Sequence, residues 1–472
     1  MGTRAADSLS VTRRTSSLGS ALLPAIAVQL FWLLGCLWSY LIVVQKFGYE
    51  GFVLVAPIGA VRLAAVALAL VALSVILPRR LVNPADYVVM ALFDISFVPF
   101  CSFWALAGQP WWQLLLMVTY WGVVLLVTRL PLRSAASYLK GSENVMLVVT
   151  GGLVVLGGIL IVAGGHLTLR LSLVNVYAVR AVWTSENSEM SGYLFPWLAN
   201  AVLPLLMVHA WKNRRLSELL VLGFTAYMLY TSTGMKAYLL MPILVVAVLL
   251  IVEWRPPSSI VPIGLVFLAG TILLLGNTSG GEFLMSLGLR RALFVPAQLT
   301  SVYLEFFAVN PFIRLSDSVL RGVLTYPYAV SVPHLIGGAI GQPDMGANNG
   351  LISDGFANFG LVGGLVWAAL LGILIRLLRA ATRLREHRPE AWAVVVTWPV
   401  VLLSSAFVTS LLTHGLLLGL LLAWSLRPEG LGIKISSTGQ RRVQTAESVG
   451  RLHIEKKFKA LATRGARGEE NG

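Results

Sequence analysis

DMGANNGLISDGFANFGLVGG, residues 344–364, is a polar, glycine-spaced run that leads directly into a long apolar stretch with the length of a membrane helix. It places Asn348, Asn349, Ser353, Asp354 and Asn358 at the depth where that helix enters lipid. Amides and a carboxylate there are costly unless they face protein or a water-filled cavity, so the cluster is a candidate functional site. Asn, Ser and Asp also cap helix N-termini, and one or two of them would need no other explanation. Five within eleven residues, interleaved with Gly350, Gly355 and Gly360, exceed what capping requires.

The 472-residue chain is 57% hydrophobic and 12% charged, with mean hydropathy +0.79. A soluble domain carries about 25% charged residues, so the composition is that of a polytopic membrane protein. The formal net charge of +15 comes from short basic clusters between apolar segments. That distribution explains membrane orientation better than nucleic-acid binding, and no nucleic-acid partner is expected. Cys36 and Cys101 lie inside apolar segments, which favours neither a disulfide framework nor a thiolate metal site. The six histidines show no metal-ligand spacing, and neither a metal nor a cofactor is expected. The first apolar stretch is long enough to span and no small-residue cleavage site follows it, so no cleavable signal peptide is expected.

Apolar runs of about 20 residues mark membrane helices. They fall near 22–45, 52–77, 86–107, 111–128, 145–165, 194–211, 216–233, 237–253, 258–276, 351–378, 392–409 and 412–427. The fold class is therefore all-α, with about twelve transmembrane helices. Cytoplasmic loops hold the Lys and Arg excess. With the segment 1–21 inside, the basic groups at Arg79 and Arg80, at Arg129, Arg133 and Lys140, and at Lys212, Arg214 and Arg215 all fall inside. So do Arg255, the set Arg376, Arg379, Arg383, Arg385 and Arg388, and a basic tail over 428–472. Both termini are expected in the cytoplasm, with the tail touching the anionic inner leaflet. The tightest connection is the turn near Ser410 between the last two helices.

Two outward connections are long: about 166–193, and 277–350 between helices 9 and 10. Within the second, Leu299, Val302, Tyr303 and Phe306 follow helical spacing, with Gln298, Ser301 and Glu305 opposite. That piece is expected to lie on the membrane surface or to pack over the bundle.

Seven basic residues break the charge rule by lying outside: Arg170, Arg180, Lys236, Arg290, Arg291, Arg314 and Arg321. Outward loops of this length carry a few such residues without function, which suffices for Arg170, Arg314 and Arg321. Lys236 sits in the tight turn TSTGMKAY beside Thr231, Ser232, Thr233 and Gly234. It suits a lipid-linked phosphate at the membrane surface, although snorkelling to the interface accounts for it equally well. Arg180 follows Tyr177 at helical spacing in VYAVR, and Arg290 and Arg291 are adjacent. Arginine grips phosphate oxygens in bidentate fashion, and a pyrophosphate leaving group needs its developing charge stabilised. His414 in LLTHG, at the outer end of the last helix, His334, Asp354 and Glu305 are candidates for a general base on a sugar hydroxyl. Arg62 and Asp94, at comparable depths on neighbouring helices, read as a structural ion pair.

These features together resemble the bacterial oligosaccharide repeat-unit polymerases, the Wzy-type O-antigen and capsule polymerases. The resemblance rests on VYAVR at 176–180, FPWLANAVLPLLM at 195–207, STGMKAYLLMP at 232–242, LRRALFVPAQLTSVYLEFF at 289–307 and NNGLISDGFANFG at 348–360. It covers about residues 145–427 and implies a GT-C-like glycosyltransferase domain over 22–427 in the bacterial inner membrane. The implied activity joins undecaprenyl-pyrophosphate-linked glycans at the outer face and releases undecaprenyl pyrophosphate without a metal. A chain-length regulator and a flippase are its candidate partners, besides the lipid-linked glycan and membrane lipid. Under this resemblance Arg180, Lys236, Arg290 and Arg291 hold pyrophosphate, while Asp354 and His414 are the catalytic candidates. Asn349 and Asn358 orient the acceptor sugar, and Tyr177, Tyr303 and Phe306 stack on sugar or border the lipid groove.

An O-antigen ligase uses the same kind of donor and differs in its acceptor. Glycosyltransferases that use polyprenyl-monophosphate sugars carry acidic residues in a large loop after the first helix, whereas QKFGYEG offers only Glu50. A lipid-linked oligosaccharide flippase or other transporter would line a central path with polar residues and often repeat internally, and the chain shows no clear repeat.

Overall fold

Among the described residues every regular element is a helix, because lipid offers backbone groups no partner beyond their own segment. The computed structural model describes residues 3–130, 142–164, 179–180, 183, 188–254, 256–278, 280–318 and 320–428. In chain order the helices are α1 (Thr3–Phe47), α2 (Ala60–Ser74), α3 (Pro84–Leu106), α4 (Trp111–Arg129) and α5 (Glu143–Ala163). Then follow α6 (Glu189–Lys212), α7 (Leu216–Thr233), α8 (Lys236–Trp254), α9 (Ile260–Leu275) and α10 (Gly281–Val309). The chain closes with α11 (Val332–Ala339), α12 (Ile352–Thr382), α13 (Pro389–Ser404), α14 (Phe407–Leu412) and α15 (Leu416–Ser425).

Eight segments are long and apolar enough to cross a membrane: Leu22–Glu50, α3, α4, α5, α6, α10, α12 and Phe407–Ser425. The protein is thus a multi-pass membrane protein: seven of these segments fall on expected spans and α10 falls in an expected loop, while the expected spans 52–77, 216–233, 237–253, 258–276 and 392–409 hold shorter or less apolar helices, with 52–59 outside α2. The centre of the bundle is α3. Its start is fixed by Asn83, which caps Ala85 N, by Asp86, whose carboxylate accepts from Asn83 N at 2.9 Å, and by Pro84 in the first turn. Its apolar window is 94% buried, with Phe93 stacked on Phe97 and edge-on to Trp121. Burial of this kind inside lipid gains packing and dispersion contacts instead of a hydrophobic term.

The charge pattern read from sequence reappears as geometry. At one end of the bundle Arg79, Asp86, Arg129, Glu143, Lys212, Arg379, Arg385, Arg388, Glu390 and Arg427 join one another or nearby backbone. Arg388 lies between Glu143 at 2.7 Å and Glu390 at 3.1 Å. Burial alone would ease its proton off, but the two carboxylates outweigh that and hold the guanidinium above the ordinary arginine range. At the other end lie Glu50, Gly108, Gln109, Gln113 and Lys236.

Two features depart from the expected topology. The connection 277–350 is no loop over its first third, because α10 occupies it with 29 helical residues. Both ends of α10 are nevertheless held at the Glu50 end: Lys236 lies over the Phe283 ring, and Ser301 Oγ lies within hydrogen-bond distance of Gln109 Oε1 and Gln113 Oε1. The middle of α10 reaches inward to line a cavity with Trp32 and Ile95. The piece 299–306 therefore packs into the bundle instead of resting on the membrane surface.

The second departure concerns the last helices. α13 ends at Ser404, and α14 and α15 are separated by a turn at Thr413–Gly415, where Gly415 takes φ +81. Ten residues of α15 extend about 15 Å, half of a hydrocarbon core of about 30 Å. The tip of this hairpin meets the middle of α6, where Trp197 Nε1 donates to Leu412 O and Asn200 Nδ2 to His414 O. The helix there is π-wound over Leu198–Val202, which frees Asn200 O to accept from Thr397 Oγ1 at 3.1 Å. His414 thus lies at mid-depth, not at an outer helix end.

Candidate functional site

The polar run quoted first folds as a re-entrant segment. Phe359 and Gly360 leave helical geometry inside α12, with Gly360 at φ +60 and ψ −142, a conformation open to glycine. The first two turns of α12 therefore double back along its remainder. Thirteen residues of straight helix would part Asp354 from Trp367 by about 20 Å, yet Trp367 Nε1 donates to Asp354 Oδ2 at 2.6 Å. Gly355 and Gly363 permit the close approach, since a Cβ on either would press on the other's carbonyl. Gly350, preceding the fold-back, donates its N–H to Leu403 O at the end of α13. Leu351 beside it is held at φ +54, a strained conformation for leucine.

Asp354 is the joint between the two half-way elements. Its Oδ2 also accepts from Phe407 N at 2.7 Å, capping α14, and its Oδ1 accepts from Asn358 Nδ2 at 3.0 Å. With three donors on it, the carboxylate positions helices. Asn358 Oδ1 accepts from Leu315 N at 2.7 Å, fastening the loop between α10 and α11. Asn349 Nδ2 lies within bonding distance of Pro296 O, Thr300 Oγ1 and Ser353 Oγ, while its Oδ1 is buried without a partner among the described residues. Tyr303 is buried and donates to Ala347 O at 2.9 Å, so its ring is a wall and its hydroxyl a tether.

The candidate cations distribute along α10. Arg290 is 7% exposed, ion-paired to Glu50 at 2.7 Å, bonded to Ser286 Oγ and stacked over Phe47. Arg291, next in sequence, is exposed and lines an apolar cavity of about 190 Å³ with Trp32, Leu265, Leu268, Leu293 and Pro296. Lys236 sits 4.8 Å from the Phe283 ring centre, and Arg180 Nη2 donates to Gly234 O at 3.2 Å. Thr231 and Thr233 donate their hydroxyls to Met228 O and Leu229 O, and Thr233 Oγ1 also accepts from Met235 N at 3.2 Å. Tyr177 and Arg170 lie outside the described residues.

Arg180, Lys236 and Arg290 therefore lie at the Glu50 end of the bundle, while Arg291 turns into the cavity beside Trp32 and Ile95; the re-entrant segment meets α10 where Asn349 bonds Pro296 O and Thr300 Oγ1. No cavity among those described is lined by all of them; the apolar one holds Arg291 alone of the four. No family model, curated protein or solved structure matches this chain. The assignment of function rests on its own residues.

His414 and His334 stand apart from the cluster; His334 Nδ1 pairs with Ser331 Oγ at 2.8 Å. Arg314 takes φ +54 in the loop before α11, where its N–H donates to Asn358 O at 3.3 Å, and Arg321 pairs with Asp317 at 3.2 Å. Arg62 does not pair with Asp94. It stacks on Trp104 and Trp111 and donates to Gln109 O, while Asp94 accepts from Gln29. Sequence reasoning missed Glu50 as the partner of Arg290, and Gln109 and Gln113 as the polar face opposite Glu305. A lone amide such as Gln113 inside an apolar span is itself a signal. Also missed was the grouping of Glu143, His209 and Glu390, whose ligand atoms lie within 4.8 Å of one another. Arg388, Lys212 and Arg427 supply the positive charge there.

Proposed function

We propose that the protein is a membrane glycosyltransferase that polymerises undecaprenyl-pyrophosphate-linked oligosaccharide repeat units at the outer face of the bacterial inner membrane, releasing undecaprenyl pyrophosphate. The observation that carries this reading is Arg291 at an apolar cavity walled by Leu265 and Leu268, the latter 54% exposed on the lipid-facing side of α9. A cation beside an apolar slot matches a polyprenyl chain that ends in phosphate. Lys236 and Arg180 add positive charge at the Glu50 end, where Arg290 is paired. Arg290, neutralised by Glu50, orients the helix that carries Arg291.

In this reading the acceptor sugar meets the Asn349 and Asn358 segment, and Asp354 keeps that segment in place. The test is polymerisation of lipid-linked repeat units by protein reconstituted in vesicles. Arg291→Ala should lower the rate at least tenfold while Arg321→Ala, an exposed residue paired with Asp317, leaves it unchanged; equal rates would remove the pyrophosphate assignment. A ligase would transfer completed glycan to lipid A core and leave single repeat units unjoined.

One observation favours a second reading, a lipid-linked oligosaccharide transporter. The re-entrant segment and the α13–α15 hairpin meet inside the bundle at Gly350 and Asp354, and broken helices that meet at mid-depth are common in transporters. Movement of a labelled lipid-linked glycan across vesicles, without chain lengthening, would select that reading.

A further inference from the structure

We infer that Asp94 is a proton-binding site: the folded protein holds it as a neutral carboxylic acid, joined to the Gln29 amide by two hydrogen bonds. Asp94 lies at the middle of α3 with no exposed surface. Its Oδ1 accepts from Gln29 Nε2 at 2.9 Å, and its backbone oxygen accepts from Trp32 Nε1 at 3.0 Å. Asp94 Oδ2 and Gln29 Oε1 are both buried acceptors, and neither has a partner among the described residues. A planar amide and a carboxyl group joined by one N–H···O bond can close into a ring in which the second oxygen of each faces the other. Two acceptors there are unfavourable, whereas one proton on Oδ2 donates to Oε1 and satisfies both. The same proton removes a full charge from the membrane interior, where an unpaired carboxylate is most costly.

A route for that proton lies beside the pair. Gln29 also lines a cavity of about 10 Å³ with Ser74, Arg79 and Ser258 toward the arginine-rich end. This is close to the space one water needs, and Ser74 Oγ is a second buried atom there without a partner among the described residues. The groups that face the pair are few. Cys36 on α1 is within electrostatic reach of Asp94, Arg79 stands across the small cavity, and Arg291 of α10 lines the larger cavity beside Ile95. Helices α2, α9 and α13 present Ser74, apolar residues and Ser404 to these two cavities, with no carboxylate. The site stands independently of the glycosyltransferase reading.

The test is infrared difference spectroscopy of the full chain in lipid nanodiscs at neutral pH, comparing wild type with Asp94→Asn. The expected result is a protonated-carboxyl carbonyl band that moves on deuterium exchange and disappears in Asp94→Asn. That variant forms an amide pair of the same shape, so it should keep its unfolding temperature, and that temperature should no longer fall as pH rises. Gln29→Met provides a second arm: it removes the acceptor and should move the same band to higher frequency. A difference spectrum that shows only a carboxylate stretch would overturn the proposal, as would a band unmoved by both substitutions.

Discussion

Asp354 illustrates how a residue can read as chemistry and work as architecture. Three donors from α12 and α14 converge on its carboxylate, so removing it strands Trp367 Nε1, Phe407 N and Asn358 Nδ2 inside the bundle. Asp354→Ala should cost about 3 kcal/mol or more of stability, and Asp354→Asn somewhat less, since the amide oxygen still accepts. Unfolding temperatures in nanodiscs would check both; an unchanged midpoint for Asp354→Ala would return the carboxylate to the role of a free base. Arg388 presents the opposite case, a charge whose value is set by burial. Arg388→Met leaves Glu143 and Glu390 facing each other at the arginine-rich end, and breaking a buried pair in this way costs about 3–5 kcal/mol. Stability of Arg388→Met should recover in part at low pH, when the two carboxylates take up protons.

At the scale of elements, the informative parts are the interrupted ones. α12 reverses at Phe359 and Gly360, α13 breaks from α14 at Ser405 and Ala406, and α6 and α10 carry π-wound stretches at Leu198–Val202 and Ser286–Phe294. Each interruption frees backbone groups that a neighbouring segment then takes up, as Leu403 O does for Gly350 N. Gly350 makes one of the tightest of these contacts, since a Cβ there would strike the carbonyls of Leu402 and Ser405. Gly350→Ala should therefore part the re-entrant segment from α13 and cost about 1–3 kcal/mol. Protease protection of the 344–358 segment in nanodiscs would report it; unchanged protection would show that the segments do not rely on that contact.

On the scale of the molecule, charge sorts the two ends. The basic clusters gather at the end of Arg79, Arg129, Lys212 and Arg385, and the candidate site occupies the other. Cys36 and Cys101 are buried, so single cysteines can be added against a silent background. Thr325→Cys and Arg383→Cys, both at exposed positions, should react with an impermeant thiol reagent from opposite faces of the membrane. Labelling of both from one face would refute the orientation that the basic clusters imply.

By itself the sequence determined the membrane class, the position of the helices and the segregation of charge. Those depend on composition and on runs of apolar residues, which are local properties. It also marked residues 344–364 as unusual, because polar side chains at membrane depth need partners wherever they are. Only the tertiary structure decided who the partners are. The pairing of Asp354 with Trp367 depends on a chain reversal at Gly360, the pairing of Arg290 with Glu50 joins residues far apart in sequence, and Asp94 chose Gln29 over Arg62. Hydrogen bonds in lipid reach only a few ångströms. Which groups come within that reach is set by packing between helices distant in sequence, a relation that no spacing along the chain records.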